Sequence, residues 1–123
     1  MQCMQAIGDK MKIGQIETHL NDKVNILGME FNVGDRLQIT FGLESDMPPL
    51  KLIAVQEIGY LVGKVPYSAY QPNSKSDQST IILTPYNPAL TEFMTRFDWS
   101  NHYMNIIERS ITIVERLKRE LSD

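Results

Sequence analysis

The sequence predicts an α+β fold: a small, mostly antiparallel five- or six-stranded β-barrel over residues 12–86, then a helical C-terminal segment over 87–121 with a short helix and a long amphipathic one. Three observations carry this expectation. Leu37, Ile39, Phe41 and Leu43 alternate with Arg36, Gln38 and Thr40, the period of two that a half-buried strand requires. Residues 50–67 are rich in β-branched and aromatic side chains and hold glycines at 59 and 63, a composition that disfavours helix. Tyr103, Ile107, Ser110, Val114, Leu117 and Leu121 recur at alternating spacings of four and three, the stripe of an amphipathic helix.

In chain order, 13–20 reads as a strand and 22–31 as another, interrupted at Gly28. Asn32 and Gly34 in "NVGD" supply a turn. The strand at 35–43 then ends in the turn-forming cluster "ESDMPP" at 44–49. Residues 50–67 read as one long bent strand or as two, with Gly59 permitting a bulge. The polar stretch 71–79 reads as a loop and "TIILTP" at 80–85 as a short buried strand. Asn87 then fits a helix N-cap and Pro88 the first helical position, with Leu90, Phe93, Met94 and Phe97 at helical spacing over 88–97. Ser100 fits the cap of the second helix. There Ile106 and Ile113 widen the stripe, while Glu115 and Arg119, and Arg116 and Glu120, stand four apart. At 1.5 Å per residue that helix would be on the order of 30 Å long, more than a small barrel needs for capping. Ser110 is the weak point of its stripe.

A chain of 123 residues fits one domain, 1–123, with enough core to fold without metal or disulfide. A net charge of −3 gives no general attraction to nucleic acid or anionic lipid. The single cysteine, Cys3, allows no intrachain disulfide, and two histidines with one cysteine do not make a structural zinc site. The start "MQCMQAIGDKMK" lacks the apolar core of a signal peptide, and no run of about eighteen apolar residues occurs. A cytoplasmic protein with no membrane partner is expected.

The segments that could carry chemistry each fall short of a constellation. In "EIGYLVGK" the spacing of Gly59, Gly63 and Lys64 is one residue short of a phosphate loop. Val65 stands where a hydroxyl residue is needed, and no helix follows. His19 and His102 lie on different elements with no nucleophile or carboxylate gathered beside them. Cys3 lacks the positive neighbourhood that would activate a thiol. Glu44, Asp46, Asp77 and Asp98 lack the spacing of a calcium loop. Tyr60, Tyr67, Tyr70 and Tyr86, with Lys51, Lys64 and Lys75, could make a stacking and basic surface for single-stranded nucleic acid, against the net negative charge.

Val33, Gly34, Leu37 and Gln38, followed by Ile58, Gly59, Tyr60, Gly63 and Lys64, set two strand motifs in order: Val-Gly-x-x-Leu-Gln and Ile-Gly-Tyr-x-x-Gly-Lys. Across residues 32–64 this resembles the PilZ-associated N-terminal split barrel of the flagellar-brake family of cyclic di-GMP effectors. The resemblance implies a barrel and a regulatory setting. The family's arginine-rich nucleotide motif and its Asp/Asn-x-Ser-x-x-Gly partner are missing, so cyclic di-GMP binding is not implied.

The expected function is a non-catalytic binding or adaptor module acting through protein–protein contacts. It would self-associate, as a dimer or larger homo-oligomer, through the outer turns of the C-terminal helix. Tyr103, Ile107, Val114, Leu117 and Leu121 are the expected contact residues. No catalytic, cofactor-binding or metal-binding residue is assigned, and no cofactor is expected. The alternatives are a ligand-sensing regulatory barrel of the cyclic-dinucleotide effector type and an oligonucleotide-binding barrel.

Overall fold

The computed structural model describes residues 10–13, 16–44, 48, 51–70, 78–88 and 103–118. Among them the chain is mostly β rather than α+β. Two short antiparallel hairpins come first: β1 (Lys10–Ile13) with β2 (Ile16–His19), and β3 (Lys23–Ile26) with β4 (Met29–Asn32). The segment expected as one strand interrupted at Gly28 is therefore a hairpin. Its two-residue turn holds Leu27 at φ 52° and Gly28 at φ 85°, the pair of positive φ values that a type I′ turn demands.

The remaining strands are β5 (Arg36–Glu44), β6 (Leu52–Pro66), β7 (Ser79–Thr84), β8 (Met104–Ile107) and β9 (Ile111–Arg116). They form one antiparallel sheet in the order β8-β7-β6-β5-β9. A single helical turn, α1 (Tyr67–Tyr70), follows β6. The alternation at 35–43 is β5, where Leu37, Ile39 and Phe41 are buried. Residues 50–67 supply one fifteen-residue strand, β6, that pairs with β5 along its first part and with β7 along its second. Ile26, Val33, Leu37, Ile39, Leu61 and Ile81 are among the fully buried side chains, so the core lies between the β3–β4 hairpin and the sheet.

The long C-terminal helix is not formed, and the sheet is not a closed barrel. Over 104–116 the chain is a kinked strand: β8 lies along β7, a 3-10 turn at Glu108–Ser110 intervenes, and β9 lies along β5. Both halves run the same way in the sheet, since each is antiparallel to its neighbour. Three residues span no more than roughly 14 Å, so the sheet curls until its two edges approach at that corner without joining in a ladder. Ser110, expected as a weak point in a pairing stripe, closes the corner by donating from Oγ to the Ile107 carbonyl at 2.7 Å.

The apparent helical spacing has a β-sheet cause. The β5–β9 register runs Thr40 to Ile113 and then Phe41 to Ile111, so Thr112 is the extra residue of a bulge. Its hydroxyl donates to the Thr40 carbonyl at 3.2 Å. The bulge restores Ile111 and Val114 to the same buried face although they stand three apart, and leaves Ile113 about half exposed. β-branched side chains at 106, 107, 111, 112, 113 and 114 favour the strand. The short helix expected over 88–97 lies outside the described residues beyond Pro88.

Candidate interaction surface

The described members of the expected contact stripe, Tyr103, Ile107, Val114 and Leu117, do not form a helical stripe. Val114 is buried in the core, Tyr103 is half-buried and packs against it, and Ile107 at the end of β8 and Leu117 just past β9 are both half-buried. The Leu117 N–H is bonded to the Arg36 carbonyl at 2.8 Å, continuing the β9 ladder. Leu121 lies outside the described residues. The helix that was to bring these positions onto one face is not formed over 103–118.

The phosphate-loop candidate is resolved as a strand. Gly59 is not a bulge; the register shift falls between Leu61 and Gly63, at Val62. Gly59 is instead a point of close approach, where a Cβ would come within 3.0 Å of Leu83 Cβ and 3.1 Å of the Thr84 carbonyl oxygen. Lys64 is a structural tie. Its Nζ donates to the Asn25 carbonyl at 2.7 Å and stands 3.5 Å from Glu108 Oε1, while Glu108 Oε2 accepts the Leu27 N–H at 3.1 Å. The 3-10 corner is thus fastened to the β3–β4 turn. Beside it lies an open-sided groove of about 310 Å³ lined by Leu27, Gln78, Ser79, Ile107, Glu108 and Arg109.

A second surface arises from the mismatch in strand lengths. β6 meets β7 only from Tyr60 onward, and β9 reaches β5 only as far as Phe41. Among the described residues, the far end of the β5–β6 pair, residues 42–44 with 52–54, therefore projects as a two-stranded ribbon. Among the described residues, no strand pairs with β6 between Leu52 and Gly59 on the side away from β5. Cross-strand partners share a face, so the core row Leu37, Ile39, Phe41 continues outward to Leu43 opposite Ile53. Leu43 and Ile53 are 50% and 49% exposed, and Leu52, on the opposite face over Gly42, is 77% exposed. Ribbon ends with apolar side chains on both faces are unusual for a solitary soluble domain, whose strand edges are normally blunted by charge or cover. The sequence signal was present in the length of β6: fifteen residues of strand exceed what β5 or β7 alone can cover.

Charged side chains elsewhere are largely engaged with one another. Arg116 is bonded to Asp35 at 3.0 Å, and Lys23 stands 3.1 Å from Glu30. His19 lies beside Asp22, whose Oδ2 accepts the His19 backbone N–H at 2.9 Å. Glu44 sits exposed at the end of β5, while Cys3, His102, Asp46, Asp77 and Asp98 lie outside the described residues. Among the described residues, no group of three or more His, Cys, Asp or Glu side chains is placed to hold a metal ion. Nor is any helix among them long and apolar enough to cross a membrane. Comparison with protein-family models, with curated proteins and with solved structures returned no match.

Proposed function

We propose that the protein is a non-catalytic binding module acting through protein contacts, with the projecting end of the β5–β6 ribbon as its contact surface. One observation carries the reading: Leu43, Leu52 and Ile53 stand exposed beside a strand edge with which no described strand pairs. An extended segment added to such an edge gains main-chain hydrogen bonds, while the alternating side chains give selectivity. The cytoplasm is the compartment assigned, on the single cysteine and its inability to form an intrachain disulfide. Polyanion binding is less well supported, because Lys23, Lys64 and Arg116 are each matched by a carboxylate.

The test is a photo-activated cross-linking side chain placed at Leu52 in the full chain, in its native cell, with the same group at the exposed Lys23 as control. A discrete protein adduct from position 52, absent from 23 and abolished by Ile53→Lys, is expected. Equal adducts from both positions, or none from 52, would remove the ribbon as a contact surface.

A further inference from the structure

We propose that the β3–β4 hairpin is a flap: it opens at its tip as a unit while the five-stranded sheet stays folded, and a clasp of charged side chains controls the opening. The inference is independent of the ribbon, which lies at the other end of β6 from the clasp residue Lys64.

The hairpin stands outside the sheet. Its two strands pair only with each other, and among the described residues no backbone–backbone hydrogen bond joins residues 23–31 to the five-stranded sheet. A two-stranded hairpin is marginal by itself, so this one stays in place through what it buries and what holds it. It buries Val24, Ile26 and Phe31. It is held by Lys64 Nζ donating to the Asn25 carbonyl at 2.7 Å, Arg116 Nη2 donating to the Glu30 carbonyl at 3.0 Å, and Glu108 Oε2 accepting the Leu27 N–H at 3.1 Å. Each of these side chains takes a backbone group of the hairpin. Asn25 and Glu30 are cross-strand partners next to Ile26 and Met29, the bonded pair that closes the two-residue turn. Bonded and non-bonded pairs alternate in an antiparallel ladder, so the Asn25 and Glu30 carbonyls point away from each other toward the two outer edges. The clasp therefore grips both edges and the tip.

The base is built differently. The turns at 19–22 and 32–35 repeat one another: the aspartate N–H returns to the first residue's carbonyl at 3.0 and 2.9 Å, and the aspartate Oδ2 accepts the first residue's N–H at 2.9 Å in both. In each the third residue has positive φ, Asn21 at 71° and Gly34 at 101°. The turns are bonded to one another by the Asn21 N–H to the Val33 carbonyl and the Val33 N–H to the Asp22 carbonyl. The second is bonded to β6, where the Leu61 carbonyl takes the Gly34 N–H and the Leu61 N–H reaches the Asp35 carbonyl, at 2.8 Å each. Backbone thus fixes the base, and side chains alone bond the tip. That asymmetry sets a hinge at the two turns. Leu27 lines the groove with Ile107, Glu108 and Arg109, and Glu108 reaches from the corner to the Leu27 N–H. Releasing the tip therefore widens the groove and uncovers Ile26, which is fully buried in the closed hairpin.

The experiment is amide hydrogen exchange on the full folded chain, read residue by residue at rising denaturant below the unfolding midpoint. Val24, Ile26, Met29 and Phe31 report on the hairpin, and Leu37, Ile39 and Leu61 on the sheet. In the wild-type chain the hairpin amides should be protected at least about tenfold less than the sheet amides, with a shallow dependence on denaturant, the mark of an opening smaller than global unfolding. Lys64→Met keeps the reach of the side chain and removes its donor. It should speed the hairpin amides about tenfold, the order expected for one charge-assisted hydrogen bond, and leave the sheet amides unchanged. Lys64→Arg, which keeps a donor, should stay near the wild-type rates. Wild-type hairpin amides that exchange only with global unfolding would overturn the flap, whatever the variants do. A Lys64→Met chain in which hairpin and sheet amides speed equally, or in which the hairpin amides do not change, would overturn the clasp.

Discussion

Arg116 Nε donates to Asp35 Oδ2 at 3.0 Å, joining the last strand to the turn that introduces the first strand of the sheet. The same guanidinium donates to the Glu30 carbonyl at 3.0 Å and lies 5.0 Å from the centre of the Phe31 ring. Asp35 Oδ2 also accepts the Asn32 N–H at 2.9 Å, while its backbone carbonyl takes the Leu61 N–H. One aspartate thus fixes the β4–β5 turn, the middle of β6 and the end of β9.

Removing that carboxylate separates its roles. Arg116 is about half exposed, so the ion pair itself contributes little, on the order of 0–1 kcal/mol. Loss of the acceptor for the part-buried Asn32 N–H costs more, about 1–2 kcal/mol. Asp35→Asn, which can keep an oxygen facing that N–H, is expected to melt close to the wild-type chain. Asp35→Ala is expected to melt several degrees lower. Equal losses in the two thermal melts would assign the stabilisation to the charge instead.

Leu27 at φ 52° sits where a leucine is strained, on the order of 1 kcal/mol above an extended backbone. It is also 45% exposed, so its side chain has little burial to lose. Leu27→Asn, supplying the residue type that type I′ turns prefer, should raise the denaturation midpoint by an amount equivalent to about 1 kcal/mol. A lower midpoint would mean that the leucine side chain in the groove outweighs the backbone strain.

Lys64 and Glu108 offer a cycle of single and double variants. Their side chains are 30% and 19% exposed, which screens the pair less than the surface pairs elsewhere. Lys64→Met and Glu108→Gln are expected to show a coupling of about 1 kcal/mol in chemical denaturation, because both fasten the β3–β4 turn to the 3-10 corner. Additive losses would show that each acts only through its own backbone hydrogen bond.

Much of the sheet was legible in the residues. The alternation from Leu37 to Phe41 and the β-branched run of β6 fix their strands by local preference, and the Asn32 to Asp35 turn is announced by its residues. The C-terminal strands were not legible because two effects coincide. The 3-10 turn at Glu108–Ser110 and the bulge at Thr112 each displace a period of two by one residue, and the result at Ile107, Val114 and Leu117 imitates helical spacing. Composition points the other way: six β-branched residues between 106 and 114 favour strand, and over so short a stretch that preference outweighs the periodicity. The ribbon was hidden for a different reason: Leu43 continues the core alternation of β5, yet among the described residues no third strand lies beside it and it stands about half exposed. The role of Lys64 likewise shows only once the β3–β4 turn is folded over it.

The glycines of the β5–β6 pair should respond oppositely to the same change. At Gly59 a methyl group would meet Leu83 Cβ and Met104 Cε at 3.0 Å and the Thr84 carbonyl oxygen at 3.1 Å. The methionine tip can swing aside, but the Leu83 Cβ and the Thr84 carbonyl belong to the neighbouring strand and can give way only if β7 moves. Gly59→Ala is therefore expected to cost about 1–3 kcal/mol, as overpacking does in a dense core. At Gly42 the methyl would meet only Leu52 side-chain atoms, at 3.1–3.3 Å, and that leucine is 77% exposed with solvent to turn into. Replacing a strand glycine there also lowers the entropy of the unfolded chain, which is worth roughly 0.4–1 kcal/mol. Gly42→Ala should accordingly match or exceed the wild-type melting temperature while Gly59→Ala falls below it. Two variants melting alike would show that β7 is not held against β6 as closely as the Leu83 and Thr84 contacts require.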